Sequence, residues 1–250
     1  AALLEARATP GATVELGYEA TERWFEDDNV IGRLAGGRHP EQVVLVATHW
    51  DEGGLTDPVP EGGGLENAGS LAVLLSMAEA AGRWRSAGRR PERSIVLLAA
   101  AAGSLGHRGI ERFIEASGIR PANVVAVIVL ERLGGTGEEL LAVGGARSSL
   151  GAQITALDPT VRMVDGDDRA HGHMPFLELR IPAVTLTRPA APAPDGTTPP
   201  PSIPALRRDA ELTLRLLWDL ADQDASPRWL AQEQDEPEPP VPARPSEPPQ

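Results

Sequence analysis

Three runs of the chain, Gln42-Val-Val-Leu-Val-Ala-Thr48, Ser94-Ile-Val-Leu-Leu-Ala-Ala-Ala101 and Asn123-Val-Val-Ala-Val-Ile-Val-Leu130, are apolar almost throughout. A strand with one wet face alternates apolar and polar residues, whereas an unbroken run belongs to a strand covered on both sides. Segments with helical spacing lie between the runs. Leu65 to Trp84 places Leu65, Ala68, Leu71, Ala72, Leu75, Ala78 and Ala81 at three- and four-residue intervals, after the glycine-rich loop Glu61-Gly-Gly-Gly64. Leu105 to Ala116 is a second amphipathic segment. Strand and helix in alternation predict an α/β fold: a three-layer αβα sandwich around a mixed, mostly parallel sheet.

The flanks extend this pattern. Thr13 to Glu19 alternates as a half-buried strand does, Asn29 to Ala35 gives another strand, and Pro182 to Leu186 a short one. A long helix is expected from Pro204 to Asp222, after the proline-rich Pro199 to Pro204. At 250 residues the chain can bury one large core. From Asp222 the composition turns acidic and proline-rich, too poor in apolar surface to offset the entropy of ordering. One domain over residues 1–224 and a disordered, partly polyproline tail over 225–250 are therefore expected.

A net charge of -13, with arginine as its only permanent cation, opposes binding to nucleic acid. There is no cysteine, so a metal would need His and carboxylate ligands. No run approaches the roughly 18 to 20 apolar residues of a membrane span. The start, Ala1-Ala-Leu-Leu-Glu5, has neither Met nor a basic signal-peptide opening, and reads as the edge of a trimmed or processed piece.

Ligands of open α/β sheets bind at the carboxyl ends of strands. There the sequence places His49-Trp-Asp51, Glu131 and, at the start of the helix after the glycine loop, Glu66. One histidine and carboxylates suit a divalent metal. The same residues have plainer readings: Glu66 complements a helix N-terminus, and Glu66 and Glu131 pair with arginines such as Arg132 or Arg180. His171 and His173, two apart, project to one side of an extended segment, as metal ligands or as a polar loop lip. His39 and His107 read as solvated, and the tryptophans at 24, 50, 84, 218 and 229 as too scattered for a stacking platform.

Taken in order, these segments resemble the zinc-dependent aminopeptidase and glutaminyl cyclase-like family, metallopeptidase family twenty-eight. Asn29-Val-Ile-Gly-Arg-Leu34 is similar to its opening strand, and Val46-Ala-Thr-His49-Trp-Asp51 to its His-x-Asp strand end. Gly64-Leu-Glu66-Asn67-Ala-Gly-Ser70 resembles its Asp-Asn-Ala-Ser-Gly motif, and Val129-Leu-Glu131-Arg-Leu-Gly134 its Asn-Leu-Asp end. His171-Gly-His173-Met-Pro-Phe176 and Ile181-Pro-Ala183 resemble Ser-Asp-His-x-Pro-Phe and Gly-Ile-Pro-Ala.

The resemblance implies His49, Glu66 and Glu131 as ligands of a single zinc, with Asp51 orienting His49. It also implies losses. Gly103 stands in the place of the water-activating glutamate, Ser104 in that of a second-zinc ligand, and Pro194 to Pro199 lacks the family's last histidine. Two readings follow: a noncatalytic, peptidase-like domain without zinc that binds peptide or protein, or a hydrolase running on one zinc, with His107 or His171 as base. Trp50, Asn67, His171 and His173 would line the cleft in either. An exported or membrane-anchored protein is implied by the resemblance alone. A third reading makes the tail, from Pro237 to Pro249, a ligand for polyproline-binding domains.

Overall fold

A computed structural model of the chain describes residues 26–51, 67–165, 170–189 and 199–230. The predicted strands at 13–19, Glu66, and residues 231–250 of the predicted tail lie outside the described residues. The strands are β1 (Val30–Leu34), β2 (His39–His49), β3 (Arg93–Ala100), β4 (Val124–Glu131), β5 (Leu141–Val143), β6 (Arg162–Val164) and β7 (Ala183–Thr187). The helices are α1 (Ala68–Ser86), α2 (Arg108–Ala116), α3 (Leu150–Leu157), α4 (Met174–Glu178) and α5 (Ile203–Asp222).

The strands form one sheet in the order β1-β3-β2-β4-β7-β5-β6. Its centre, β3-β2-β4-β7, is parallel, while β1 and β5 run antiparallel to β3 and β7. Alternate residues of the apolar runs feed two cores. Val44, Val46, Ile95, Ile128 and Leu186 meet α1, α3 and α5 on one face; Leu45, Ala47, Leu98, Val129 and Ala183 meet α2 and α4 on the other. Burial of a side chain such as Leu98 or Ile128, both fully enclosed, contributes about 1.5–3 kcal/mol. The fold is the expected three-layer α/β sandwich with a mixed sheet.

Two helices differ from the sequence pattern. In α1 the buried stripe is Gly69, Ser70, Val73, Leu74 and Met77, and Leu75 is 62% exposed. Close approach sets this rotation: a Cβ on Gly69 would run into the carbonyl oxygen of Leu133, so only glycine lets α1 lie against the end of β4. The expected helix at 105–116 is broken. A 3₁₀ turn at Gly103–Leu105 is followed by Gly106 and His107, both left-handed with φ of 80° and 60°, and α2 begins only at Arg108.

Packing continues into the stretch assigned to the tail. The Arg93 guanidinium, buried at the start of β3, donates to the carbonyls of Leu220 (2.6 Å) and Asp224 (2.8 Å), and to Ser226 Oγ (3.2 Å). Trp229 bridges to Ser148 and lies under the Arg180 guanidinium, 5.5 Å from its ring centre.

Candidate functional site

The carboxyl ends of β2, β4 and β7 carry a polar row. Glu131 and Thr187 are register partners, and His49 and Glu131 each stand two residues beyond the paired Ala47 and Val129. The two-residue period of strands puts all three on the α2 side of the sheet.

Asn67 fastens the row from the opposite side. Its amide donates to Thr48 Oγ1 (3.0 Å) and the His49 carbonyl (2.5 Å), and its oxygen accepts from the Arg132 amide (2.9 Å). Thr48 Oγ1 in turn donates to the Leu130 carbonyl, 2.8 Å away. Predicted as a cleft residue, Asn67 is instead buried and ties β2 to β4.

His49 Nδ1 lies 2.7 Å from the Asp51 carbonyl and 3.7 Å from its carboxylate, which leaves Nε2 as the outward nitrogen. The Asp51 carboxylate crosses to the loop after β3 and accepts from the amides of Gly103 (2.8 Å) and Ser104 (3.4 Å) and from Ser104 Oγ (3.1 Å). A Cβ on Gly103 would collide with the His49 ring, so the backbone of Gly103 serves as the wall against which His49 rests. Ala102, beside it, holds a left-handed φ of 52°. Trp50 is 40% exposed and its indole donates to the Asp28 carbonyl.

Glu131 is buried, and both of its oxygens are engaged: His171 Nδ1 lies 2.7 Å from Oε2, and the Gly172 amide donates to Oε1 at 2.8 Å. The partner is a histidine where the sequence suggested an arginine. Burial pushes this carboxyl up, but the hydrogen bonds from His171 and Gly172, with the imidazoles of His171 and His107 nearby, hold it below the usual carboxylate range.

The segment carrying His171 is roofed by α2. Its Gly172 is pressed between Ile110, Val129 and His107, where an added Cβ would sit 2.9, 3.1 and 3.2 Å from their atoms. His107, read as solvated, is buried, with Nε2 2.9 Å from the Ala170 carbonyl; its left-handed turn at the head of α2, invisible to periodicity, aims it inward. His173 is fully buried, stacks on His171 with centroids 5.9 Å apart, and places Nδ1 2.8 Å from Thr185 Oγ1. Burial above all, and then the charge of His171, lower its pKa to about 4, so it is neutral at pH 7. Its Nε2 and Thr187 Oγ1 are buried without a hydrogen-bond partner among the described residues.

A model of peptidase family M28 matches residues 29–240. The chain belongs to that family. Solved structures with the same fold include BSAP, a zinc aminopeptidase from Bacillus subtilis, at 18% identity and TM-score 0.63, covering 79% of this chain and 51% of that one. An aminopeptidase from Aneurinibacillus sp. strain AM-1 aligns at 17% identity and TM-score 0.60, over 79% and 48% of the two chains. The LapA aminopeptidase of Legionella pneumophila aligns at 16% identity and TM-score 0.57, over 79% and 60%. This chain thus spans about half the length of the first of these structures. No curated protein matches the sequence significantly.

Among the described residues no three His, Asp or Glu side chains converge as a metal would require. The donors explain why: Glu131 turns both oxygens toward the segment 171–172, Asp51 turns its carboxylate toward 103–104, and Gly103 offers no side chain. Among the described residues, which include neither Glu66 nor residues 190–198, no two-zinc ligand set is assembled. His49 and His107 each have one ring nitrogen held by a backbone carbonyl, and His171 has one held by a carboxylate, as metal-bound histidines do.

Among the described residues no helix is long and apolar enough to cross a membrane.

Proposed function

We propose that this member of peptidase family M28 has exchanged its two-metal hydrolytic centre for an internal hydrogen-bond network, and that it binds a peptide or protein segment at the rim of the former site. The engagement of Glu131 by His171 and the Gly172 amide carries this reading. Each oxygen of this buried carboxylate already accepts a hydrogen bond, so a metal would have to share an oxygen with His171 or the Gly172 amide and draw the group away from segment 171–172. Nothing in the position assigned to the water-activating glutamate can accept a proton, because Gly103 has no side chain. General-base assistance contributes about 10² to 10⁴ in rate, so loss of that group with a disengaged metal ligand removes most of a peptidase mechanism. The rim, where Trp50 is exposed and His171 keeps 15% of its side chain open, is the surface left for binding.

The competing reading, a hydrolase using one zinc on His49, Glu66 and Glu131, is favoured by His49 Nε2, which makes no hydrogen bond among the described residues and lies at the end of the strand beside Glu131. Hydrolysis of amino-acid amides and peptides with zinc in excess separates the two. Binding without catalysis predicts no turnover above buffer and no tight zinc site by calorimetry. Zinc-dependent turnover that disappears in both His49→Ala and Glu131→Gln would establish the hydrolase.

A further inference from the structure

Trp84, near the end of α1, and Trp218, in the last turns of α5, are 134 positions apart in sequence, yet their rings meet edge to face with centroids 4.5 Å apart and planes at 61°. Scattered along the sequence, they form a platform in the fold. Both are only partly buried, and with Gly88, Arg89 and Arg90 they line an open groove of about 610 Å³. Arg83 pairs with Glu79, but the exposed Arg85, Arg89 and Arg90 have no ion-pair partner among the described residues. An arginine cluster unpaired among the described residues stands out on a chain of net charge -13.

We propose that this groove is the docking site for the chain's own carboxy-terminal segment, centred on Asp235-Glu-Pro-Glu-Pro-Pro240. The chemistry is complementary. Glu233, Asp235, Glu236 and Glu238 supply carboxylates beside Pro237, Pro239, Pro240 and Pro242. Proline-rich segments adopt a polyproline helix at low entropic cost and lay their rings on aromatic-lined grooves. Arginine both pairs with carboxylates and stacks on indole faces, and a Trp pair flanked by arginines offers each contact.

The path is short enough. Arg93, three residues after Arg90, holds the carbonyls of Leu220 and Asp224, so the chain leaves α5 beside the groove. Leu230, whose amide donates to the Arg147 carbonyl, is six residues on, at most about 20 Å from Asp224 at 3.3–3.6 Å per residue. Residues 231–236, fully extended, can cover that distance in return, which leaves Pro237 to Pro242 to reach from there toward the groove.

The chain contains no cysteine, so Ala243→Cys gives the full-length protein one labelling site. Bimane attached there is quenched on contact with tryptophan. Docking predicts emission several-fold below that of the labelled peptide 231–250 alone, independent of protein concentration and rising with salt. Arg89→Glu with Arg90→Glu, two exposed substitutions, should restore emission, as should Trp218→Leu. Adding Asp235→Arg, Glu236→Arg and Glu238→Arg to the reversed arginines should quench it again. Full emission in the parent protein, or quenching that survives the arginine reversal, overturns the proposal. Quenching that grows with concentration assigns the groove to the tail of a second copy and overturns docking within one chain.

Discussion

His173 and Glu131 show how one small site sets two titratable groups in opposite ways. Glu131 stays charged despite burial because a histidine and an amide face it, whereas burial of His173 outweighs the pull of Glu131 and leaves its ring neutral. The unfolded imidazole titrates near 6.5 and the folded one at about 4. Between these values the unfolded chain binds the extra proton, so stability rises with pH across the window. The contribution of neutral His173 is complete above pH 6.5 and is lost as pH falls toward 4, a swing of about 3 kcal/mol at 1.36 kcal/mol per unit. Denaturant titrations at pH 4.5 and 7, compared between the parent and His173→Leu, should show a shallower pH dependence in the variant. Equal slopes would remove His173 as the origin. Ala102 supplies a second test at this scale. Its left-handed φ of 52° costs an L-residue roughly 1–2 kcal/mol, which glycine avoids at some entropic loss. Ala102→Gly is therefore expected to raise the melting midpoint slightly, and a fall would mean that the methyl group packs against something essential.

At the scale of elements, α1 is located by Asn67 and Gly69 more than by its apolar stripe. Asn67 holds Thr48, His49 and Arg132 in one buried network, and Gly69 lets the helix reach Leu133. Asn67→Ala should cost about 2–4 kcal/mol, since it strands a buried amide and a carbonyl. Gly69→Ala, which improves helix propensity, should nonetheless destabilise; greater stability in denaturant would refute the close-approach argument. This explains what was legible in the sequence. The long strands were, because β2, β3 and β4 are covered on both faces and their apolar runs record it. The three-residue β5 and β6 leave too little pattern, and the rotation of α1 is not legible because a glycine, not a leucine, marks its contact face. Of the site, His49, Asp51 and Glu131 were legible as strand ends. His171 and His107 were legible as candidates but their placement was not: His171 approaches Glu131 from 40 residues downstream, His107 enters through a left-handed turn, and Thr187 through register.

At the scale of the molecule, the two cores are closed at the amino ends of the strands by Arg93. Every part of its guanidinium is used: Nε donates to Gln42 Oε1 at 2.6 Å, and the terminal nitrogens to Leu220, Asp224 and Ser226. Burial lowers its pKa, opposed by Asp224, yet the group remains a cation. One side chain thus joins β3, β2, the end of α5 and the chain beyond it, and sets where residues 224–230 begin their path to Ser148 and Trp229. Lysine cannot replace it, because a single ammonium cannot fork between carbonyls four residues apart. Arg93→Lys leaves buried acceptors unpaired and is expected to lower stability by about 2–4 kcal/mol, and to depress the melting midpoint by roughly 5–15 °C for a chain of this size. Limited proteolysis gives the sharper readout: cleavage should appear between Asp222 and Arg228 in the variant at temperatures where the parent is intact. A variant that melts earlier everywhere without preferential cleavage there would make Arg93 a general core residue rather than the fastening of the carboxy-terminal segment.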